Sequence, residues 1–169
     1  HAAATAADPE GAFEFILNLQ GDVPMIEPDA IRAAFDPLQD EAVDIGTIAT
    51  EIRNAAKRDD PGYVKTVGTP VGERRLRALY FTRATAPSGP GPLYQHIGIY
   101  AYRRPALARF VSLPPSYLET RETLEQLRAL EAGMRIDVSL IDSAPMDVNT
   151  PEDLEAVRQA VRHRRSPSS

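Results

Sequence analysis

Asp22, Lys65, Arg83, His96 and the pair Glu125 and Gln126 are the residues of this sequence whose types and settings could do chemistry. Asp22 lies in Gln20-Gly21-Asp22, directly after the apolar run of residues 13–19. That is the carboxyl end of a strand, where doubly wound sheets put their ligands. Taken alone, the tripeptide reads first as an Asx turn or a helix-capping Asp. In a ligand site its carboxylate would suit magnesium, which takes one or two carboxylates together with phosphate oxygens and waters. Arg83 ends a second apolar run, residues 76–82, and is either a surface Arg at a strand end or a cation aimed at an anionic ligand. His96 read alone is a satisfied structural histidine sooner than a general base. Lys65 stands equally as a strand-edge lysine or a neighbour of phosphate. Glu125 and Gln126 sit beside Leu124 and Leu127, where solvated helix polars are the ordinary expectation. No nucleophile–base pair is evident.

Composition narrows the classes these residues can serve. The chain has 169 residues, 43% of them hydrophobic, enough for one packed α/β domain over residues 1–162, with a basic, solvated tail at 163–169. A formal charge of -5 argues against nucleic acid or an anionic membrane as the main partner, since both reward clustered Lys and Arg. The absence of cysteine excludes disulfides, thiolate nucleophiles and Cys-based zinc sites. His1, His96 and His163 are too scattered for a local metal motif. No run approaches the roughly 18 apolar residues of a membrane span, and the start has no signal-peptide pattern, so the expected compartment is the cytoplasm.

The elements that must position these residues follow from periodicity and punctuation. Residues 1–8 are Ala-rich and read as the end of a helix. Residues 13–19 are expected to be a strand buried on both faces. Pro28 and Asp29 open a helix with Ile31, Ala34, Phe35 and Leu38 on one face. Residues 43–52 read as a strand, and 63–67 and 76–82 as two more, with Gly68 to Gly72 as the turn between them. Residues 86–92, rich in Pro and Gly, are a loop. Residues 96–102 alternate as a strand, 105–113 form a short helix, and Pro114 and Pro115 stop it. Ser116 and Glu119 match a capping box, opening a helix with Leu124, Leu127 and Leu130 as its apolar stripe and Gly133 as its end. Residues 134–141 supply a further strand. Thr150 and Pro151 begin the last helix, which turns Leu154, Val157 and Val161 toward the sheet.

In order and spacing, the segments Leu19-Gln-Gly-Asp-Val-Pro-Met-Ile26, Val64-Lys65, Ala78-Leu-Tyr-Phe-Thr-Arg83, His96-Ile-Gly-Ile-Tyr100, Leu124-Glu-Gln-Leu-Arg128 and Thr150-Pro-Glu-Asp-Leu154 resemble the 3-deoxy-manno-octulosonate cytidylyltransferases. The resemblance runs from about Phe13 to about Arg162. It implies a Rossmann-like nucleotide-diphospho-sugar transferase fold: a mixed, mostly parallel sheet flanked by helices. It also implies a homodimer that joins CTP to the sugar acid Kdo, releasing pyrophosphate and giving CMP-Kdo for lipopolysaccharide synthesis. Family members begin with a strand and a Gly- and Arg-containing loop that holds the CTP phosphates. No such loop precedes His1, so the expected fold is N-terminally incomplete.

The same resemblance assigns roles. Asp22 becomes a catalytic magnesium ligand, with Asn149 as the second ligand, where the family's usual Asp is replaced; Asp147 could substitute only if its loop turned the carboxylate inward. Arg83 would meet the Kdo carboxylate, while Gln20, His96, Tyr100, Glu125 and Gln126 would bind its hydroxyls, with Gln20, His96 and Tyr100 at strand ends. Two other readings stay open: a cytidylyltransferase for a sialic acid, and an inactive fragment that retains a sugar-binding or dimerising half.

Overall fold

The computed structural model describes residues 2–21, 23–145, 148 and 151–165. Its strands are β1 (Phe15–Asn18), β2 (Ile45–Glu51), β3 (Lys65–Gly72), β4 (Arg75–Thr82), β5 (Tyr94–Arg103) and β6 (Ile136–Ile141). They form one sheet in the order β1-β5-β2-β6-β4-β3, and β3 also pairs with the start of β5, so the last five strands close on themselves. The helices are α1 (Ala2–Ala7), α2 (Pro28–Phe35), α3 (Ala55–Arg58), α4 (Arg104–Ser112), α5 (Tyr117–Glu122), α6 (Gln126–Glu131) and α7 (Pro151–Arg165).

The sheet is mixed, as expected, but it is not mostly parallel. Among the described strands only β2 and β6 pair in parallel. The reason lies in β5, which runs antiparallel between β1 and β2, and in the β3–β4 hairpin, whose tight connection can only be antiparallel. β1, β2 and β6 nevertheless point the same way.

Alternation along the strands divides the interior into two layers. On one face, Ile48, Ile97, Ile99 and Ala101 pack with Ala30, Ala34 and Leu38 of α2 and the turn after it. On the other, Ile45, Ala49, Phe81, Tyr100, Tyr102, Ile136 and Val138 pack with Phe110 of α4 and Leu127 of α6. Fully buried apolar side chains such as Phe81 and Leu127 each contribute roughly 1.5–3 kcal/mol by leaving water. Gly46 is what lets α2 come so close: a Cβ there would collide with the carbonyl oxygen of Ala34.

Several local expectations need correction. β1 is an edge strand with an exposed, half-buried, half-buried, exposed pattern rather than one buried on both faces, because β5 is its sheet neighbour and Phe13, Phe15 and Leu19 face solvent. Residues 68–72 are not a turn; they continue β3, with a bulge at Val67/Gly68, and the chain reverses after Gly72. The helix expected from Ser116 to Gly133 is broken in two, since Thr123 adopts a left-handed conformation (φ 56°). The expected capping box itself is present, with Glu119 accepting from Ser116 N–H at 2.9 Å. In α7, Val157 is buried but Leu154 is exposed, so the helix does not turn both to the sheet.

Gly133 does end α6 as expected. With φ 74° it forms a Schellman cap, its own N–H donating to Leu130 O and that of Met134 to Ala129 O, both at 2.9 Å. Among the described residues no helix is long and apolar enough to cross a membrane.

Candidate functional site

The even-numbered residues of β5 carry the site. His96, Gly98 and Tyr100 share the face that looks toward α4 and α6, and Gln20, two residues past the end of β1, lies over the gap that Gly98 leaves. A Cβ on Gly98 would stand 2.7 Å from Gln20 Oε1, so the glycine is what allows that amide to lie flat against the strand. The ring of Tyr100 is 5.3 Å from that of His96, and Phe81 meets His96 edge-on at 4.9 Å. Burial, with smaller contributions from the neighbouring Tyr102 and from the charge of Glu125 at the start of α6, holds the Tyr100 hydroxyl well above its ordinary pKa.

His96 is neutral here. Burial drives its pKa from 6.5 down to about 3. Its tautomer follows from its partner, because the single proton of the Thr47 hydroxyl is committed to Ile99 O at 2.7 Å, leaving Thr47 Oγ1 to accept from His96 Nε2 at 3.0 Å. The hydrogen-bond network therefore assigns the proton to Nε2 and leaves Nδ1 as an acceptor. Such a histidine can receive a hydroxyl proton in a hydrogen bond but brings no charge to an anion.

Arg83 follows β4 and is half-buried and anchored. Its Nε–H donates to Glu122 O at 3.1 Å and Nη1 to Pro61 O at 3.1 Å, which leaves the remaining N–H groups of its fork for a ligand. The Glu122 carboxylate accepts from Arg83 N–H at 3.0 Å, so the break between α5 and α6 joins Arg83 to the segment that carries Glu125 and Gln126. Gln126 is buried in the first turn of α6, and Glu125 is exposed. Two placements differ from the expectation of strand ends. Tyr100 lies well inside β5, and His96, at the third position of that strand, is buried, since β5 extends from Tyr94 to Arg103.

Lys65 is neither a strand-edge lysine nor solvated. It is fully buried, its ammonium donating to Asp60 O at 2.7 Å and Arg83 O at 3.2 Å, and burial lowers its pKa against the opposing charges of Asp60 and Asp59. A cation so enclosed braces the chain on either side of it. Glu122 was not singled out from the sequence, although its position at the end of a helix opposite an Arg-ended strand is the one signal that could have found it.

The expected metal ligands Asp22 and Asn149, with Asp147, lie outside the described residues. The strands that lead to them, β1 and β6, run in the same direction, so the chain leaves both at the same edge of the sheet. Among the described residues no group of three or more His, Cys, Asp or Glu could hold a metal. A groove of about 1010 Å³ opens on the opposite face, along α2 and the segment after β6. Among the described residues its lining includes none of the expected site residues, and four carboxylates, Glu27, Asp29, Asp36 and Asp142, outnumber Arg74 and Arg75. That balance is wrong for a triphosphate.

The six-stranded mixed α/β sheet is a fold already known: apo UDP-glucose pyrophosphorylase superposes on it with a TM-score of 0.63 at 15% identity. The family is narrower, since a model described as cytidylyltransferase matches residues 2–136, and the chain belongs to that family. It is 64% identical over 151 residues to the 3-deoxy-manno-octulosonate cytidylyltransferase of Azorhizobium caulinodans, covering 89% of this chain and 60% of that protein. It is 61% identical over 162 residues to the protein of the same name from Rhizobium etli (strain CIAT 652), covering 96% and 64%. The structure of CMP:2-keto-3-deoxy-manno-octonic acid synthetase complexed with CTP superposes with a TM-score of 0.83 at 33% identity, over 96% of this chain and 68% of that one. The chain thus spans about three-fifths of the length of these curated relatives.

Proposed function

We propose that this chain carries the sugar-acid half of a cytidylyltransferase that joins CTP to Kdo, giving CMP-Kdo and pyrophosphate. The observation that carries the reading is the gathering of Gln20, His96 and Tyr100 on one face of β5, within reach of the Glu125 charge. Kdo brings one carboxylate and many hydroxyls. A neutral histidine acceptor, an amide, a phenol and a carboxylate suit the hydroxyls, and the free N–H groups of Arg83 suit the carboxylate.

The reaction is in-line attack by the anomeric hydroxyl of Kdo on the α-phosphorus of CTP. The new O–P bond forms as the bond to pyrophosphate breaks, and the hydroxyl proton leaves to solvent. What these residues do is bind and orient; no covalent intermediate on the chain is required, and positioning supplies much of the rate. Magnesium is the proposed metal, held by Asp22 and Asn149 through hard oxygen donors, and when bound it would neutralise phosphate charge. The expected second copy of the chain belongs to this reading and rests on the family resemblance.

Release of pyrophosphate from CTP and Kdo, followed alongside Kdo binding by calorimetry, tests the proposal. For an enzyme that also carries the phosphate-binding loop, turnover with Kdo but not with a sialic acid is the expected result. Kdo binding without CTP binding would favour an inactive sugar-binding piece, and binding of neither would end the reading. Two substitutions sharpen it. Gly98→Ala is expected to push the Gln20 amide aside and weaken Kdo about tenfold. Because Gln20 is exposed and its side chain flexible, the unfolding free energy should move by no more than about 0.5 kcal/mol, as equilibrium unfolding in urea would register. In an enzyme that also carries the phosphate-binding loop, Asn149→Asp adds the charge a magnesium ligand normally brings, so the magnesium concentration for half-maximal turnover is expected to fall; a magnesium titration that does not shift removes Asn149 from the metal site.

A further inference from the structure

Glu122 is the last residue of α5, half-buried, and its side chain turns back onto the end of β4. One carboxylate oxygen accepts from Thr82 Oγ1 at 2.9 Å and from the Tyr80 hydroxyl at 3.3 Å, and the other from Arg83 N–H at 3.0 Å. Its backbone carbonyl accepts from Arg83 Nε at 3.1 Å, so Glu122 holds Arg83 at both its main chain and its guanidinium. From the opposite side, Lys65 Nζ donates to Arg83 O at 3.2 Å and Pro61 O takes Arg83 Nη1 at 3.1 Å. Burial alone would raise the Glu122 pKa. The hydrogen bonds from Arg83, Thr82 and Tyr80 and the Arg83 charge outweigh it, and the net shift is downward, so the group stays ionised.

Immediately after Glu122, Thr123 turns left-handed and delivers Glu125 and Gln126 at the start of α6. We propose that Glu122 is a positioning residue: it fixes the Arg83 guanidinium relative to Glu125 and Gln126 so that the fork meets the carboxylate of the sugar acid. This rests on the sugar-acid reading given above. It differs from a plain staple between α5 and β4 in what it controls. A staple sets only how much of the chain is folded, whereas a positioning residue sets how well a carboxylate is told from a neutral group.

The test compares the affinity of the chain for Kdo with that for Kdo carboxamide, measured by calorimetry. Both ligands see the same folded fraction, so their ratio is blind to a loss of stability. In the parent chain Kdo is expected to bind at least tenfold more tightly than the amide, as a charge-assisted pair requires. Glu122→Gln places an amide N–H among the donors of Thr82, Tyr80 and Arg83. It is expected to lower the ratio about tenfold, and adding Arg83→Ala should lower it no further. Thr82→Val, which loosens the carboxylate without removing it, serves if Glu122→Gln does not fold, with an expected drop of about threefold. An unchanged ratio in these variants, whatever their melting temperatures, would overturn the positioning role alone. A parent chain that binds neither ligand would overturn the sugar-acid reading and this inference with it.

Discussion

Arg83→Ala is expected to weaken Kdo binding roughly a hundredfold, because it removes the cationic fork proposed to meet the ligand's only charged group. Arg83→Lys should recover only part of this. A lysine restores the charge but cannot reproduce the planar fork, nor the paired bonds to Glu122 O and Pro61 O that hold it. The folding cost should be smaller, since Arg83 and Glu122 are only half-buried and Pro61 is exposed. Calorimetric titration with Kdo at low and moderate salt checks the prediction. Parent affinity should fall with salt and that of Arg83→Ala should not. If Arg83→Ala binds Kdo as the parent does, the sugar carboxylate is met elsewhere and the assignment of Arg83 is lost.

What the sequence made legible, and what it did not, divides along a physical line. The strands β2, β4, β5 and β6 and helix α4 follow from local period and from Pro and Gly punctuation, β3 only over its first three residues, and the cap at Gly133 follows from the need of a positive φ there. Strand direction is a matter of distant pairing. Nothing in residues 96–102 says that β5 runs against both its neighbours, and so a mostly parallel sheet was expected where hairpin geometry prevails. The break at Thr123 was hidden for a related reason. Leu124, Leu127 and Leu130 keep helical spacing across it, while the cause of the turn, the docking of Glu122 on Thr82 and Arg83, is 39 to 40 residues away in sequence. Among the candidate residues, Gln20, His96 and Tyr100 do assemble, but single-residue chemistry would have left each of them structural. The resemblance picked them out, and the alternation of β5 explains why they meet. Lys65 was misjudged because burial of a lysine depends on a cage of carbonyls that no local pattern announces.

His96 should make the fold acid-sensitive. Its folded pKa, about 3, lies below the ordinary 6.5, so the folded chain binds fewer protons at this site than the unfolded chain does. The sign is therefore that of a depressed group: its stability is fully present above pH 6.5 and is lost as pH falls from 6.5 toward 3. At pH 5 the loss comes to about 2 kcal/mol and at pH 4 to about 3 kcal/mol, a large share of a small domain's stability. His96→Gln isolates the effect. Glutamine cannot titrate, yet its amide nitrogen can donate to Thr47 Oγ1 as His96 Nε2 does. Carboxylates such as Glu119, whose pairing with Arg128 lowers its pKa, add their own acid sensitivity, but equally in both chains. The difference between parent and His96→Gln unfolding free energies, taken from urea titrations at pH 7, 5 and 4, should follow this curve. A difference that stays constant across the range would mean that the imidazole titrates in the folded state as it does in the unfolded chain. The assignment of a neutral Nδ1 acceptor to the sugar cleft would then fail as well, since both conclusions rest on the same burial.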